Sequence, residues 1–136
     1  MKREDIIPQL IKIYMTEEWW HKQVLSLEES WKYFKFLITK DKIICKVVDD
    51  KVVGYVEFFF VTPAQVEKLN NENFFTFNEN IDDGDVCYIN NIWVDDSYRG
   101  NGMLASFKSQ IEKKKDFKYY AGNDVNDNNS LKTRRK

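Results

Sequence analysis

Apolar residues recur at intervals of three and four over the first 40 residues, and this spacing predicts two amphipathic helices. A Ser-x-x-Glu capping box at residues 26–29 marks the beginning of the second helix. The apolar positions are Ile6, Ile7, Leu10, Ile11 and Tyr14 in the first helix and Trp31, Phe34, Leu37 and Ile38 in the second.

After residue 42 the pattern changes to runs of β-branched and aromatic residues, which predict strands. Residues 43–48 and 52–61 flank a turn-like Asp-Asp-Lys and form a predicted hairpin. The other predicted elements are a short helix at 63–69, a strand at 86–94, a helix at 103–114, a strand at 117–121 and the opening of a helix at 131–136. The predicted core contains Ile44, Val53, Val56, Ile89, Ile92, Val94, Leu104, Phe107 and Ile111.

The composition fits one domain, 1–136, since 136 residues with 43% hydrophobic and 15% aromatic content can build a single packed core. The 21 Lys and Arg nearly balance the 22 Asp and Glu, so we do not expect a nucleic-acid partner. No apolar run approaches the roughly 18 residues of a membrane span. The first residues do not lead into an apolar signal segment. We therefore predict a soluble, cytoplasmic protein without a membrane partner.

Two cysteines and one histidine offer little for covalent or metal chemistry. Cys45 and Cys87 lie in apolar runs, which is typical of reduced core thiols. His21 has no cysteine at zinc-site spacing, so we predict no metal site. A single histidine also removes Ser-His-Asp and Cys-His catalysis unless His21 is itself the base. Its place in a Trp-rich amphipathic stretch favours a packing or surface role.

The segment Ile92–Met103 carries recognisable chemistry, because it runs from a strand through a turn with Gly100 and Gly102 into a helix. The first N–H groups of a helix lack intrahelical partners and lie at the positive end of its dipole, and glycines let a diphosphate approach them. The segment lacks the third glycine of a dinucleotide-binding motif and the Gly-Lys-Ser/Thr of a P-loop. A plain strand-to-helix turn is the alternative.

In the order of its elements and in Arg99-Gly100-Asn101-Gly102, the chain resembles the GNAT superfamily of N-acetyltransferases over residues 43–131. The acetyl-CoA motif of that family is Gln/Arg-x-x-Gly-x-Gly/Ala after a strand that ends in Val. Leu104 departs from it, because Gly or Ala is usual there. The resemblance implies an α/β fold with a mixed, mostly antiparallel central sheet flanked by helices. An evident first strand and the last two strands of the family are lacking.

The resemblance also implies acetyl-CoA as co-substrate. Backbone groups of Ile92, Trp93 and Val94 would pair with the pantetheine amides, and the Val94 N–H would polarise the thioester carbonyl. Backbone N–H groups of the turn would hold the pyrophosphate, and an Asn after the next strand would contact the pantetheine arm. The turn residues are Arg99, Gly100, Asn101, Gly102, Met103 and Leu104, and the Asn is Asn126 or Asn128.

Acetyl transfer to an amine also requires a base and a proton for the leaving thiolate. Many members of the family have a carboxylate on the strand before the motif, where this chain has Tyr88 and Asn90. The nearest carboxylates are Asp85 and Glu57. Glu57 lies among apolar residues, where burial would raise its pKa, and the alternative is that it faces solvent. The usual Tyr acid is absent, which leaves solvent or Tyr120.

The resemblance thus predicts an N-acetyltransferase that moves acetyl from acetyl-CoA to a primary amine by direct transfer in a ternary complex. The amine would be polyamine-like, a protein lysine or an N-terminus. Residues 69–98 contain seven acids and no Lys or Arg, which favours cationic acceptors or a solvated loop. Because the family continues beyond the position of Lys136, a homodimer could complete the core. The rival functions are a catalytically degenerate GNAT-fold binding module and acyl transfer to an unusual acceptor such as a nucleobase.

Overall fold

The computed structural model describes residues 3–16, 26–72, 84–124 and 130–136. The predicted capping box is present, since the Ser26 side chain accepts from the Glu29 N–H and the Glu29 side chain from the Ser26 N–H. Single 3₁₀ turns cover Arg3–Ile6 and Asp96–Tyr98. In chain order, the described helices and strands are α1 (Ile7–Thr16), α2 (Leu27–Thr39), β1 (Ile43–Val48), β2 (Lys51–Val61), α3 (Pro63–Glu72), β3 (Val86–Val94), α4 (Met103–Lys114), β4 (Tyr119–Asp124) and β5 (Ser130–Arg135).

The strands form one five-stranded sheet in the order β1-β2-β3-β4-β5. Every neighbouring pair is antiparallel except β3 and β4, which are parallel. This confirms the predicted α/β fold with a mixed, mostly antiparallel sheet. The parallel pairing ends at Ile89 and Gly122, so β3 continues for five more residues with β2 alone beside it among the described strands.

Helices cover both faces of the sheet, and β2 is an interior strand between β1 and β3. The side chains of α1 and α2 pack on one face around Phe34, Tyr55 and Phe59, and those of α4 pack on the other around Phe58 and Phe60. Side chains alternate along β2 and pack against the helices on both faces of the sheet, so ten of its eleven residues are buried. Five predicted core residues are buried as expected, namely Ile44, Val53, Val56, Phe107 and Ile111.

Two predicted core residues are exposed. The side chain of Leu104 is 56% exposed and that of Ile92 is 41% exposed. Leu104 lies in the first turn of α4 and shares the helical spacing of Phe107 and Ile111, but its side chain is not part of the buried cluster that those two residues join. Ile92 lies in the part of β3 beyond its pairing with β4. Ile89 and Val94 are only partly buried.

The predicted helix at 131–136 is wrong, because residues 130–135 form β5, antiparallel to β4. Pairing along all six residues of β4 overrides the weak local preference of this Lys- and Arg-rich segment for a helix.

Three assignments made from the sequence, His21, Asn126 and Asn128, lie outside the described residues. So do three acids of the predicted acidic stretch, at positions 79, 82 and 83. Of the helices within the described ranges, none combines the length and the apolar character needed to cross a membrane.

Candidate active site

On the side away from β2, the described strands leave the second half of β3 unpaired beyond Ile89, and this half presents an open backbone edge. The Asp95 N–H donates to the Val53 C=O at 2.9 Å, one residue beyond the Val94–Gly54 pair. Backbone groups alternate in direction along an antiparallel strand, so the N–H and C=O of Val94 point away from β2. Those of Ile92, two residues earlier, point the same way.

The backbone of Trp93 has the opposite orientation. By the same alternation its N–H and C=O face Tyr55 on β2, so they are engaged within the sheet. The Arg99 Nε donates to the outward C=O of Val94 at 3.3 Å, which agrees with this alternation. The structure therefore brings Ile92 and Val94 to the open edge, but not the Trp93 backbone that the sequence analysis included.

The turn after β3 depends on two glycines. Gly100 and Gly102 have φ angles of +83° and +79°, which side-chain-bearing residues rarely adopt. A Cβ atom at either position would meet no neighbour within 4 Å, so the backbone conformation, and not crowding, requires glycine there. Asp95 accepts from the Ser97 N–H at 3.0 Å and fixes the 3₁₀ turn that leads into these glycines.

The beginning of α4 follows directly from this turn. Gly102 is its N-cap and has no side chain to cap the first N–H groups, and the Ser106 N–H bonds back to the Gly102 C=O at 3.0 Å. The N–H groups of Met103 and Leu104 therefore lie at an uncapped helix N-terminus, which suits an anion. Gly54 on β2 lets Met103 approach closely, because a Cβ atom there would overlap the Met103 sulfur.

A buried polar network lies beside the open edge, on the face covered by α1 and α2. Glu57 is 1% exposed, and the Tyr33 hydroxyl on α2 donates to its Oε1. The Asn90 Nδ2 donates to the same oxygen at 3.0 Å and to the Tyr33 hydroxyl at 2.8 Å. The Asn91 Nδ2 donates to Glu57 Oε2 at 3.4 Å and to the Tyr55 hydroxyl at 2.9 Å. The alternative that Glu57 faces solvent is therefore wrong.

A β-bulge makes this network possible. The register passes from the pair Glu57–Asn91 to the pair Phe58–Ile89, so Asn90 is an extra residue on β3. A bulge disturbs the strict alternation of side chains. Consecutive Asn90 and Asn91 can therefore both reach the carboxyl group of Glu57.

Burial dominates the titration of this network. It raises the pKa of Glu57, while the hydrogen bonds from Tyr33, Asn90 and Asn91 oppose that shift. Burial, together with the negative charge of Glu57, raises the pKa of Tyr33 well above its ordinary value. Tyr33 therefore keeps its proton and acts as donor to Glu57.

The other three candidates from the sequence lie elsewhere. Asp85 precedes β3 and lies about 30 Å along the strand from Val94. Tyr88 lies on the same face as Glu57, and burial raises its pKa to about 12. Tyr120 packs on the opposite face of the sheet, where its hydroxyl donates to Glu112 at 3.0 Å. Burial and that hydrogen bond raise its pKa.

Sequence analysis missed Tyr33 and Asn91 as partners of Glu57. The signal for Asn91 is two consecutive amides inside an otherwise apolar strand, because a buried amide needs a hydrogen-bond partner. Tyr33 has a weaker signal, since its place beside Phe34 on the buried face of α2 also fits ordinary packing.

Known proteins resemble this chain in sequence and in fold. The sequence matches the acetyltransferase (GNAT) family over residues 7–105. No curated protein matches it significantly.

Three solved structures are similar in fold. One is the GphF GNAT-like decarboxylase in complex with isobutyryl-CoA, with a TM-score of 0.61, 14% identity and coverage of 90% of this chain and 63% of that one. The second is a ribosomal-protein-alanine N-acetyltransferase from Brucella melitensis. Its TM-score is 0.55 and its sequence identity 16%, and the match covers 88% of this chain and 69% of that one. The third is a possible acetyltransferase from Clostridium difficile 630. Its TM-score is 0.51 and its sequence identity 19%, and the match covers 82% of this chain and 66% of that one. The chain thus spans less than two thirds of the first and third of these structures.

Proposed function

Because the chain belongs to the GNAT acetyltransferase family, we propose that it transfers the acetyl group of acetyl-CoA to a primary amine. One observation carries the proposal. The open edge of β3, with the N–H groups of Ile92 and Val94 facing outward, leads directly into the Gly100–Gly102 turn and the uncapped N-terminus of α4. A strand edge suits the amides of a pantetheine arm, and a helix N-terminus suits a pyrophosphate.

Acetyl-CoA would supply the acetyl group as a thioester. The backbone N–H groups from Arg99 to Leu104 would hold its pyrophosphate. The positive φ of Gly100 and Gly102 favours glycine, which has no side chain to stand between the backbone and that group. The side chain of Leu104 is 56% exposed. Asn101 is exposed at the tip of the turn.

The direction of the arm decides which amide faces the thioester. With the pyrophosphate at the turn, the arm extends back along β3, and its reactive end lies farther from the turn than its middle. We therefore move the role of oxyanion donor from Val94 to Ile92 and leave Val94 to the pantetheine amides. Ile92 directly follows Asn91, the residue that pairs with Glu57.

Glu57 is the proposed base. A general base works best with a pKa near the operating pH, and burial moves Glu57 in that direction. Because Glu57 is 1% exposed, the proton of the amine would reach it through the Tyr33 hydroxyl or through water beside Asn90. Asp85 is too far along β3 for this role, and Tyr88 keeps its proton at neutral pH.

The leaving thiolate would take its proton from solvent. Tyr120, the other candidate from the sequence, lies on the opposite face and donates to Glu112. Transfer would be direct, without an acetyl-enzyme. Cys87 is buried, and burial raises its pKa to about 12, so its thiol is protonated and not nucleophilic. Cys45 lies on β1, separated from β3 by β2.

The acceptor and the assembly state remain proposals. Among the described acids, Asp95 lies 3.7 Å from Lys51 and Asp96 lies 3.1 Å from Arg99, which leaves little free charge at the turn. The acidic stretch would then steer a cationic acceptor through the acids that precede Asp95 in the sequence. The homodimer stays a prediction, which sedimentation velocity tests.

One observation favours a second function, a catalytically degenerate GNAT-fold binding module. A carboxylate that is 1% exposed and accepts three hydrogen bonds resembles a structural group as much as a base. Nothing in the described residues favours acyl transfer to a nucleobase.

A transfer assay separates the two functions. Purified protein is mixed with acetyl-CoA and either spermidine or a lysine-containing peptide, and free thiol and acetylated amine are both measured. We expect amine-dependent thiol release that falls about 10²- to 10⁴-fold in Glu57→Gln. The matched control Glu112→Gln removes a carboxylate from the opposite face and should keep full activity. Binding of acetyl-CoA without amine-dependent release would instead support the binding module.

A further inference from the structure

Asn90, the extra residue of the bulge on β3, contacts both partners of the hydrogen bond between Tyr33 and Glu57. Its Nδ2 lies 2.8 Å from the Tyr33 hydroxyl oxygen and 3.0 Å from Glu57 Oε1. The Tyr33 hydroxyl has one proton and donates it to Oε1, so towards Asn90 it can only accept. Asn90 therefore presents its NH₂ group, and not its carbonyl oxygen, to both oxygens.

Asn90 also lies between this buried pair and the proposed reaction centre. Glu57 is 1% exposed and Tyr33 is 8% exposed, whereas Asn90 is only partly buried. Two residues of strand, at most about 7 Å, separate Asn90 from Ile92, whose N–H is the proposed oxyanion donor. An amine that attacks a thioester held by that N–H therefore meets the network at Asn90.

The NH₂ group of Asn90 acts on both of its partners in the same direction. Burial raises the pKa of Tyr33 and that of Glu57, and the hydrogen bond from Asn90 lowers each of them. At Glu57 the amide favours the ionised carboxylate, which is the form that accepts a proton. At Tyr33 it stabilises the negative charge that develops on the phenol oxygen as its proton moves to Oε1.

The other groups on this face of the sheet are ordinarily neutral at pH 7. The titratable members of the buried cluster are Tyr14, Tyr33, Cys45, Tyr55 and Tyr88. Neutral neighbours do not offset the charge of an ionised Glu57, so hydrogen bonds must stabilise it. Asn90 gives Glu57 a shorter hydrogen bond than Asn91 does, 3.0 Å against 3.4 Å.

We propose that Asn90 is a positioning residue of the acetyl transfer, which holds the Tyr33 hydroxyl and the Glu57 carboxylate in place for the proton of the amine. This role rests on the proposed function. As the amine nitrogen bonds to the acetyl carbon, its proton passes to the Tyr33 oxygen and the proton of Tyr33 passes to Oε1. Tyr33 ends neutral and Glu57 ends protonated, while the thiolate of CoA leaves and takes a proton from solvent.

The test compares three variants in amine-dependent thiol release, measured from about pH 5 to pH 9. Asn90→Leu keeps a similar shape and removes the NH₂ donor, Asn90→Gln keeps such a donor, and Gln110→Leu removes an exposed amide on α4. We expect kcat of Asn90→Leu to fall about ten- to a hundredfold at pH 7, as for the loss of a hydrogen bond to a charged group. Asn90→Gln should recover part of this rate, and Gln110→Leu should match the wild type.

Three further readouts separate positioning from a general loss of structure. The acid limb of the pH–rate profile should move to higher pH in Asn90→Leu, because loss of that hydrogen bond raises the pKa of Glu57. The affinity for acetyl-CoA, measured by calorimetry, should stay unchanged. In protein with ¹³C-labelled Glu, the carboxyl signal that is missing from Glu57→Gln should titrate at higher pH in Asn90→Leu than in the wild type or Gln110→Leu.

The failure of this role differs from the failure of the proposed function. An unmoved Glu57 titration in Asn90→Leu, or a kcat equal to that of the wild type, would each overturn the role of Asn90 and leave the proposed function standing. A wild type that releases no thiol would contradict the proposed function, and the role of Asn90 would fall with it. If Asn90→Leu does not fold, as judged by circular dichroism, Asn90→Ala provides the same comparison.

Discussion

Replacing Glu57 by Gln should change how the stability of the protein depends on pH. Glu57 is 1% exposed, and burial raises its pKa above the ordinary value of 4.5. Gln has nearly the same shape and cannot ionise. The substitution therefore removes one buried titration while it keeps the packing between α2, β2 and β3.

The sign and slope follow from proton linkage. Between pH 4.5 and the raised pKa, the folded state holds a proton on Glu57 that the unfolded state has lost. The contribution of Glu57 is therefore fully present below pH 4.5 and is lost as pH rises through the folded pKa. Each unit by which the folded pKa exceeds the unfolded one lowers the wild-type free energy of unfolding by about 1.4 kcal/mol. Glu57→Gln lacks this loss.

The assay is urea unfolding of both proteins at half-unit steps from pH 4.5 to pH 8. The free energy of unfolding of the wild type minus that of Glu57→Gln should fall across the window at about 1.4 kcal/mol per pH unit and then level off. The control is Glu67→Gln, which makes the same chemical change at an exposed carboxylate on α3. Parallel wild-type and Glu57→Gln curves across the whole range would refute the assignment of a raised pKa to Glu57.

Three further outcomes are expected. Tyr33→Phe should lower the free energy of unfolding by about 1.5–3 kcal/mol, because it removes a donor to Glu57. Loss of that hydrogen bond should also raise the pKa of Glu57 further, so the pH-dependent loss of stability measured by urea unfolding should continue to higher pH. Gly54→Ala should cost about 1–3 kcal/mol, because its Cβ displaces the Met103 sulfur, and should weaken acetyl-CoA binding measured by calorimetry. Cys87→Ala should leave amine-dependent thiol release intact, since burial keeps that thiol protonated. A stable acetyl adduct on Cys87 by mass spectrometry would contradict this.

The glycine turn was predictable from the sequence because its signals are local. Gly100 and Gly102 follow a strand and precede an amphipathic helix, and α4 begins and ends at the predicted residues, Met103–Lys114. The hairpin of β1 and β2 was predictable for the same reason.

The Glu57 network was not predictable, because it joins residues far apart in the chain. Tyr33 and Asn91 lie 24 and 34 residues from Glu57. The joint contact of Asn90 and Asn91 with Glu57 also depends on a β-bulge, which only the pairing of β2 and β3 reveals. The strand β5 was missed because its conformation comes from pairing with β4, whereas the local sequence favours no strand.

The central claim is that acetyl-CoA binds at the Gly100–Gly102 turn. It can be tested most directly by calorimetric titration of acetyl-CoA into the wild type, Gly102→Ala and Gly102→Glu. Both variants carry the same backbone strain of about 1–2 kcal/mol from a Cβ atom at positive φ, so their difference reports the effect of the longer, negatively charged side chain. Ser109→Glu places a carboxylate at an exposed position farther along α4 and is the control for added charge.

We predict measurable binding to the wild type and to Ser109→Glu, weaker binding to Gly102→Ala, and none to Gly102→Glu, whose carboxylate would occupy the place of the pyrophosphate. Equal acetyl-CoA affinity of Gly102→Glu and the wild type would contradict the account.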